Sequence, residues 1–518
     1  MNVGIAQINL RLGDLEGNLR RLRAAADSVP DVDLVVTPEL SITGYPPRDL
    51  LLDPGFVSAT ADAVRRLAVT TRRGPALLVG APWRVAPPNE AHPGLQNVVL
   101  WLQGGEIREI RAKSLLPAQD VFHEPRWFLP AERREPLNGL GLLICEDLWD
   151  RSYPVHPAAE LVAAGTSALI CVSASPFREG VLARRVAEAR RAAAGRPLVY
   201  VNLVGGQDEL IFDGRSFVLD SAGRKLAQLP AFEEAVQRVD LEGQGEGEPS
   251  EPDPVATLHD ALVLGIRDFA RKNGIRRATL GSSGGIDSAV VAALAAEALG
   301  PERVTTIAMP SRYSDPRSTS VAAELAQNLG VGFVVAPIDS MHEAAERSLS
   351  AWLDDPSGIT GENVQARLRM VILMAEVNRS GGMLLNTSNK TELTLGYGTL
   401  YADMAGTLSV LGDVIKPEVY ALARHINRER ERIPAFILER PPSAELRADQ
   451  VDPFDYPVIS PLAEALVSGA PAADHPELPR LSRLYRAAEH KRWQAGIVLK
   501  VKERAFGTGR LIPVTRGG

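Results

Sequence analysis

Gly281-Ser282-Ser283-Gly284-Gly285-Ile286-Asp287-Ser288 stands between an apolar strand candidate ending at Leu280 and an Ala-rich helix candidate, Ala289–Leu299. A glycine-rich turn that opens a helix presents free backbone N–H groups and the positive end of the helix dipole. Both favour a bound phosphate. The run has no lysine, so it is not the GxxxxGK[ST] loop. Ser282, Ser283 and Ser288 supply hydroxyl donors instead, and Asp287 supplies a carboxylate suited to Mg²⁺. The bland alternative is a glycine-rich turn that binds nothing. The strand–loop–helix context argues against it.

Working outward, the second half of the chain alternates. Strand candidates are Ala278–Leu280, Val304–Ala308, Gly332–Pro337 and Met383–Asn386, with helices Ala289–Leu299, Ser318–Leu329 and Val364–Arg379 between them. This pattern predicts a doubly wound parallel sheet with ligands at the carboxyl ends of its strands. The first half alternates too. Its strand candidates are Val3–Ile8, Leu34–Thr37, Ala76–Val79, Val98–Leu102, Leu142–Cys145, Ala168–Val172 and Leu198–Asn202. Helix candidates include Asn18–Ser28 and Val181–Ala194, and Gln103-Gly104-Gly105 reads as a hairpin turn. Near-continuous apolar runs predict strands buried on both faces. Between the halves, LEGQGEGEPSEPDPVA is almost free of apolar residues and reads as a linker. The expected division is 1–240, a linker over 241–256, and 257–518.

A chain of 518 residues is too long for one ordinary core, which agrees with two domains. A net charge of −7 argues against a nucleic-acid partner, which would want a basic face. The only cysteines are Cys145 and Cys171, too few for a disulfide scaffold, so a reducing, cytoplasmic interior is expected. No stretch approaches the ~20 apolar residues of a membrane span. MNVGIAQINL lacks a basic region followed by an apolar core, so no secretory signal is read there.

Polar runs follow the strands where a ligand would sit: Met309–Ser314, Asn386–Glu392 and Gly396–Asp403. Glu392 is a candidate second carboxylate for Mg²⁺ opposite Asp287. In the first half, Glu39 follows an apolar strand, Lys113 ends another, and Cys145 closes the strand GLGLLIC. A thiol at a tight strand end is exposed enough to act as a nucleophile. It needs a base and a cation for the developing oxyanion, and Glu39 and Lys113 fit those needs. A lone cysteine closing an apolar strand is more often packing, and Cys171 is read that way.

SGGIDS after a strand looks like the pyrophosphate loop of enzymes that split ATP into AMP and diphosphate. More specifically, residues 281–506 resemble the NAD⁺ synthetase family in its glutamine-dependent form. The stretches that carry the resemblance are GSSGGIDSA, MPSRYS, ENVQARLRMVILM, LLNTSNKTELTLGYGTLYADMAG, GDVIKP, PPSAELR, KRWQ and AFG. It implies an adenine nucleotide hydrolase-like domain. In it the nicotinate carboxylate of deamido-NAD⁺ attacks the α-phosphate of ATP, and ammonia then displaces AMP. It places Gly281–Ser288 and Thr387 on ATP, and Asp287 and Glu392 on Mg²⁺. It places Asn363, Glu392 and Lys491 on deamido-NAD⁺, and Lys416 and Ser443 on nucleotide phosphate. It also implies homo-oligomers built from synthetase-domain dimers.

Residues 1 to about 230 resemble the nitrilase-like amidases, through PELSITGYPP, AKSLLP, ICEDLWD and VNLVGGQDELIFDG. This implies an αββα sandwich that hydrolyses L-glutamine, with Cys145 as nucleophile, Glu39 as base, Lys113 as oxyanion partner and Glu124 shaping the site. Among glutamine-contacting positions Ser175 is kept, but Gln119 stands for the family's tyrosine and Val181 for its lysine. Arg184 and Arg185 are the nearby cations able to replace that lysine. After PPSAELR the family's DE-rich stretch is replaced by ADQVDPFDYPVISPL, which changes the loop closing over the substrate. The alternatives are a synthetase fed by free ammonia, another pyrophosphate-loop enzyme such as a tRNA thiolase, and a non-catalytic scaffold. The absence of cysteines after the linker and the intact Glu39/Lys113/Cys145 set oppose the last two.

Overall fold

The computed structural model describes residues 1–89, 92–251, 253–353, 358–443, 445–447, 450–471 and 474–515. The chain divides into two compact units, Met1–Pro252 and Asp253–Gly518.

In the first unit, one sheet joins β1 (Asn2–Gln7), β2 (Leu34–Val36), β3 (Ala76–Arg84), β4 (Leu95–Gln103) and β5 (Glu106–Ala112) to β13 (Ala235–Asp240). The other joins β6 (Leu140–Ile144), β7 (Ala168–Ser173), β8 (Leu198–Asn202), β11 (Phe217–Leu219) and β12 (Lys225–Gln228). A hairpin of β9 (Val204–Gln207) and β10 (Leu210–Asp213) completes the strands. Successive residues of a strand point to opposite faces, and here both faces are apolar. Val3, Ile5, Leu34 and Val36 meet Ile144, Ile170, Val172 and Val201 between the sheets. Ala6, Val35, Leu77 and Val79 turn outward onto α1 (Leu15–Asp27) and α2 (Pro54–Thr70). On the far side Leu143, Leu169, Cys171 and Tyr200 pack under α3 (Pro157–Ala163) and α4 (Val181–Ala193). The result is the expected αββα sandwich, with Cys171 as packing. β5 departs from the two-sided burial, since its side chains are partly or fully exposed.

The stretch expected to be a solvated linker is held to the first unit instead. Leu241 N–H donates to Met1 C=O, Glu246 N–H to Lys225 C=O, and Lys225 N–H to Gly247 C=O. Ser250 and Gln228 exchange two hydrogen bonds, and Glu251 pairs with the buried Arg215. Composition missed this because the contacts are hydrogen bonds and ion pairs, half of those just given between main-chain groups, and none needs an apolar side chain.

The second unit opens with α5 (Pro254–Lys272), capped by Asp253. Its six-stranded sheet has the order β16-β15-β14-β17-β18-β19, every pair parallel. These strands are β14 (Ala278–Gly281), β15 (Val304–Ala308), β16 (Gly332–Val335), β17 (Met383–Asn386), β18 (Leu408–Ser409) and β19 (Ile497–Val498). The chain winds one way from β14 to β16 and the other way from β17 to β19. The switch point between β14 and β17 is where such a sheet opens a crevice. α6 (Ile286–Leu299) is buried on all sides, covered by α5 and α11 (Lys416–Ile426). This is why its sequence has no polar stripe. It starts at Ile286 rather than Ala289, so the last three residues of the glycine-rich run form its first turn. The remaining helices are α7 (Pro316–Leu329), α8 (Asp339–Leu349), α9 (Gly358–Ser380), α10 (Lys390–Leu395), α12 (Ala435–Glu439), α13 (Tyr456–Ser468), α14 (Leu478–Ala487) and α15 (Glu489–Arg492). The departure after PPSAELR leads into α13, with Asp455 before its first turn. Among the described residues no helix is long and apolar enough to cross a membrane.

Candidate active sites

In the first unit, three charged side chains that are far apart in sequence meet in the interior. Lys113 Nζ lies 2.7 Å from Glu39 Oε1 and 2.8 Å from Glu124 Oε1. All three residues are at most 3% exposed. Charges buried this deeply persist only when paired and hydrogen-bonded, and each is. Glu39 Oε1 also accepts from Asn97 Nδ2 at 2.7 Å, and Oε2 accepts from the Ala174 N–H at 3.1 Å. Glu124 Oε1 accepts from the Tyr45 hydroxyl at 3.1 Å. Burial opposes the charge on Lys113, but Glu124 and Glu39 outweigh it and hold the ammonium well above its usual range. Burial pushes Glu124 up to about 7 against the pull of Lys113.

Cys145 does not end the strand, as the sequence implied. β6 stops at Ile144, and Cys145 begins a 3-10 turn over Cys145–Leu148 with φ +45°. A left-handed φ on a non-glycine residue costs on the order of 1–3 kcal/mol and persists where the surroundings enforce it. A nucleophile on a sharp turn after a strand is a recurrent use of such strain. The thiol is 7% exposed, less open than expected. Burial and then the Glu39 carboxylate push it well above the ordinary cysteine range, with Lys113 pulling the other way. The resting group is therefore a thiol that needs a base.

The glutamine-contacting positions are unequal. Gln119 is exposed, and its Nε2 reaches Glu146 Oε1 at 3.3 Å, beside Cys145; the Tyr153 hydroxyl donates to the same oxygen at 2.9 Å. Ser175 is buried, with its N–H on Asn202 Oδ1. Val181 is 1% exposed at the start of α4. Arg185 cannot replace the family's lysine. Its fully buried guanidinium is committed to both oxygens of Asp213 and to the Ser175 carbonyl. Arg184 lies over the Trp149 ring instead.

In the second unit, the 281–288 run lines a crevice of about 300 Å³ at the switch point, together with Thr387, Glu392, Lys416 and Ser443. Gly284 has φ +72°, and a Cβ there would sit 2.6 Å from the Ser318 carbonyl oxygen of α7, so only glycine fits. Ser283 Oγ accepts from the Gly285 N–H, and Ser288 Oγ donates to the Gly285 carbonyl. Ser282 lines the crevice, and its Oγ is buried with no hydrogen-bond partner among the described residues. Such groups are costly unless a ligand completes them.

Asp287 and Glu392 converge on one ammonium. Lys416 Nζ is 2.5 Å from Asp287 Oδ2 and 3.6 Å from Glu392 Oε1, under the Tyr456 ring. Asn389 Nδ2 holds the other Asp287 oxygen at 3.0 Å. Burial and then the Asp287 carboxylate push Glu392 up to about 8, against the pull of Lys416. Two such hard carboxylates fit a Mg²⁺ ion that takes its other ligands from phosphate and water. Among the described residues no cluster of three or more His, Cys, Asp and Glu side chains competes as a metal site.

Asn363 and Lys491 are not among the crevice-lining residues. Asn363 Oδ1 accepts from Thr399 Oγ1 at 2.7 Å, and Lys491 Nζ donates to the Gly396 and Gly398 carbonyls. Both grip the 396–399 turn. Sequence reasoning passed over Asn97 and Tyr45, which fix the two glutamates, and Arg369 and Arg440, which line the crevice. Tyr45 and Arg369 lie inside motif words that had been noticed. Asn97 lies just before the strand expected at Val98–Leu102, next to Gln96, and nothing local marked it out.

Residues 2–246 match the carbon-nitrogen hydrolase family and residues 258–494 the NAD synthase family. The glutamine-dependent NAD(+) synthetases of Rhodobacter capsulatus and Synechocystis sp. are 39% and 38% identical to this chain, each over 99% of it and 98% of the relative. The glutamine-dependent NAD⁺ synthetase of Acinetobacter baumannii, solved with adenosine diphosphate, superposes with a TM-score of 0.78 at 30% identity, covering 99% of this chain and 98% of that one. Two sites of this geometry on one chain, and similarity along its whole length, lead to one conclusion: this chain belongs to the glutamine-dependent NAD⁺ synthetase family.

Proposed function

We infer that the chain converts deamido-NAD⁺ to NAD⁺, consuming ATP and using ammonia released from L-glutamine. The observation that carries this is the pairing of a buried Glu39–Lys113–Glu124 cluster beside Cys145 with a glycine-rich phosphate loop facing Asp287, Glu392 and Lys416. Family membership favours it over a synthetase fed by free ammonia alone. The amidohydrolase part is assigned to the first unit and the synthetase part to the second, which moves the boundaries from the expected 240 and 257 to Pro252 and Asp253.

In the first part Glu39 takes the Cys145 proton as sulfur attacks the side-chain amide carbon of glutamine. Lys113 Nζ gives two N–H groups to Glu39 and Glu124, and its third stabilises the oxyanion. Protonated Glu39 then delivers its proton to departing ammonia, and water activated by Glu39 cleaves the glutamyl thioester. Glu124 and Tyr45 hold the ammonium in place. Gln119, Ser175 and Val181 flank the amino-acid end of glutamine.

In the second part a nicotinate carboxylate oxygen attacks the α-phosphorus of ATP. The amides of Gly281–Ser288 with Thr387, Lys416 and Ser443 hold the leaving diphosphate. Asp287 and Glu392 would hold a Mg²⁺ ion, which when bound would neutralise the charge that develops there. Asn363, Glu392 and Lys491 bind deamido-NAD⁺. Ammonia attacks the acyl carbon and AMP leaves. An acyl adenylate is water-sensitive, and ammonia in neutral water is mostly protonated, which favours making both within one protein.

We place the protein in the cytoplasm as a homo-oligomer of synthetase-part dimers. Its two cysteines are unlinked. α9 leaves Ile359, Val371 and Met374 exposed, as an uncovered contact face would. The deciding assay supplies ATP, deamido-NAD⁺ and either L-glutamine or ammonium chloride. Turnover with both, giving AMP and diphosphate in equal amounts, is expected. Turnover with ammonium alone, or ADP as product, overturns the reading.

A further inference from the structure

We propose that Asp147 is a positioning residue for glutamine hydrolysis, fixing the separation of Cys145 from Lys113; this rests on the roles given above to those two residues. Asp147 is 2% exposed and lies two residues after the nucleophile. Its Oδ2 accepts from the Ile144 N–H at 3.0 Å, the residue just before Cys145. Its Oδ1 accepts from the Ser114 and Leu115 N–H groups at 3.0 and 2.8 Å, the two residues just after Lys113. One carboxylate thus binds the backbone on either side of the reacting pair.

The need for such a clamp is visible in the fold. Cys145 sits at φ +45°, a conformation that relaxes unless it is held. Lys113 follows β5, which is laddered to β4 and packs Ile107, Ile110 and Ala112 on the core but makes no ladder to β6, the strand that leads into Cys145. The Lys113 main chain has two further bonds, its N–H to Asn97 C=O and its C=O from the Ala131 N–H. Neither reaches the nucleophile turn. Asp147 ties that turn to the two residues next to Lys113, whereas the other tie, Glu146 Oε1 accepting from Gln119 Nε2 at 3.3 Å, reaches the segment six residues further on and is exposed. Three N–H donors fit a carboxylate, which accepts on both oxygens; an amide side chain accepts on one and presents a donor on the other.

Asp147→Asn therefore keeps the shape and opens one end of the clamp. The full-length protein is assayed for glutamine-driven NAD⁺ formation, and for iodoacetamide labelling of Cys145 and Cys171 by mass spectrometry. Roughly a tenfold or larger fall in kcat is expected, with KM for glutamine within about twofold, because displacements of a fraction of an ångström between reacting groups act on the chemical step. Cys145 labelling should slow while Cys171 stays protected. A kcat within twofold of the parent overturns the proposal, as does a loss carried in KM or a loss accompanied by Cys171 labelling, which reads as simple unfolding. Where the Asn variant does not fold, Asp147→Glu keeps the charge and carries the same test, since its longer arm misplaces the same bonds. Failure of the underlying reading looks different: the parent would then show no glutamine-driven turnover for Asp147 to affect.

Discussion

The two candidate sites of this chain differ in where their charges come from. In the first unit the charges are built in: Glu39, Lys113 and Glu124 are buried and paired with one another, although Glu124 Oε2 and Asn97 Oδ1, like Ser282 Oγ in the second unit, have no hydrogen-bond partner among the described residues. In the second unit the site is incomplete on its own. Among the described residues Ser282 Oγ has no partner, and Lys416 serves both Asp287 and Glu392. The difference follows from the substrates. A neutral amide brings no charge, so the protein must preorganise every charge that its reaction needs. A nucleotide brings several negative charges, so on the proposed function the protein provides a receptor of donors for them.

The comparison can be broken most sharply by Cys145→Ala. Glutamine-driven synthesis should fall by roughly a thousandfold or more, while ammonium-driven synthesis stays within about twofold; parallel loss of both would mean the sites are not separable. Asp287→Ala should lower synthesis from either nitrogen source by roughly a hundredfold or more. Normal rates in that variant would remove Asp287 from the metal site. Gly284→Ala should cost about 2 kcal/mol or more of stability, from the left-handed φ and the approach to Ser318. A melting temperature equal to the parent's would refute the packing argument.

Ser282→Ala sharpens the contrast further. Removing an unsatisfied buried hydroxyl should leave the melting temperature unchanged or slightly raised, while KM for ATP rises about tenfold. A fall in both stability and affinity would show that the hydroxyl is already satisfied without nucleotide. The smallest effect concerns His259, away from both sites. Asp260 and Glu297 outweigh burial and hold its imidazole at about 9. An unfolded histidine titrates near 6.5, so this pairing stabilises fully below that pH and is lost as pH rises through about 9. Stability of the second unit should decline across that window, and His259→Gln should flatten the decline; an unchanged slope would dismiss the pairing.

The legibility of the sequence followed the same divide. The phosphate loop was readable directly, because strand, glycines and helix are contiguous between Ala278 and Leu299. Glu39, Lys113 and Cys145 could each be singled out at a strand end, but only the resemblance joined them into one set, since they are separated by dozens of residues and nothing local links them. The left-handed turn at Cys145 and the three bonds to Asp147 left no trace in the residue pattern, because the donors are main-chain N–H groups common to almost every residue. β18 and β19 have two residues each, too few to show a period. The fate of the Gly/Glu/Pro-rich stretch was misjudged for a related reason: composition reports what side chains can bury, not what a backbone can bond.

That stretch has a practical consequence for anyone who dissects the protein. A recombinant fragment ending at residue 240 would strip the rim of β12 of its main-chain partners at 246 and 247 and take from Arg215 the carboxylate of Glu251. A fragment ending at 251 would retain them. The second boundary should therefore yield the more soluble and better-behaved amidohydrolase, although composition alone would place the cut eleven residues earlier.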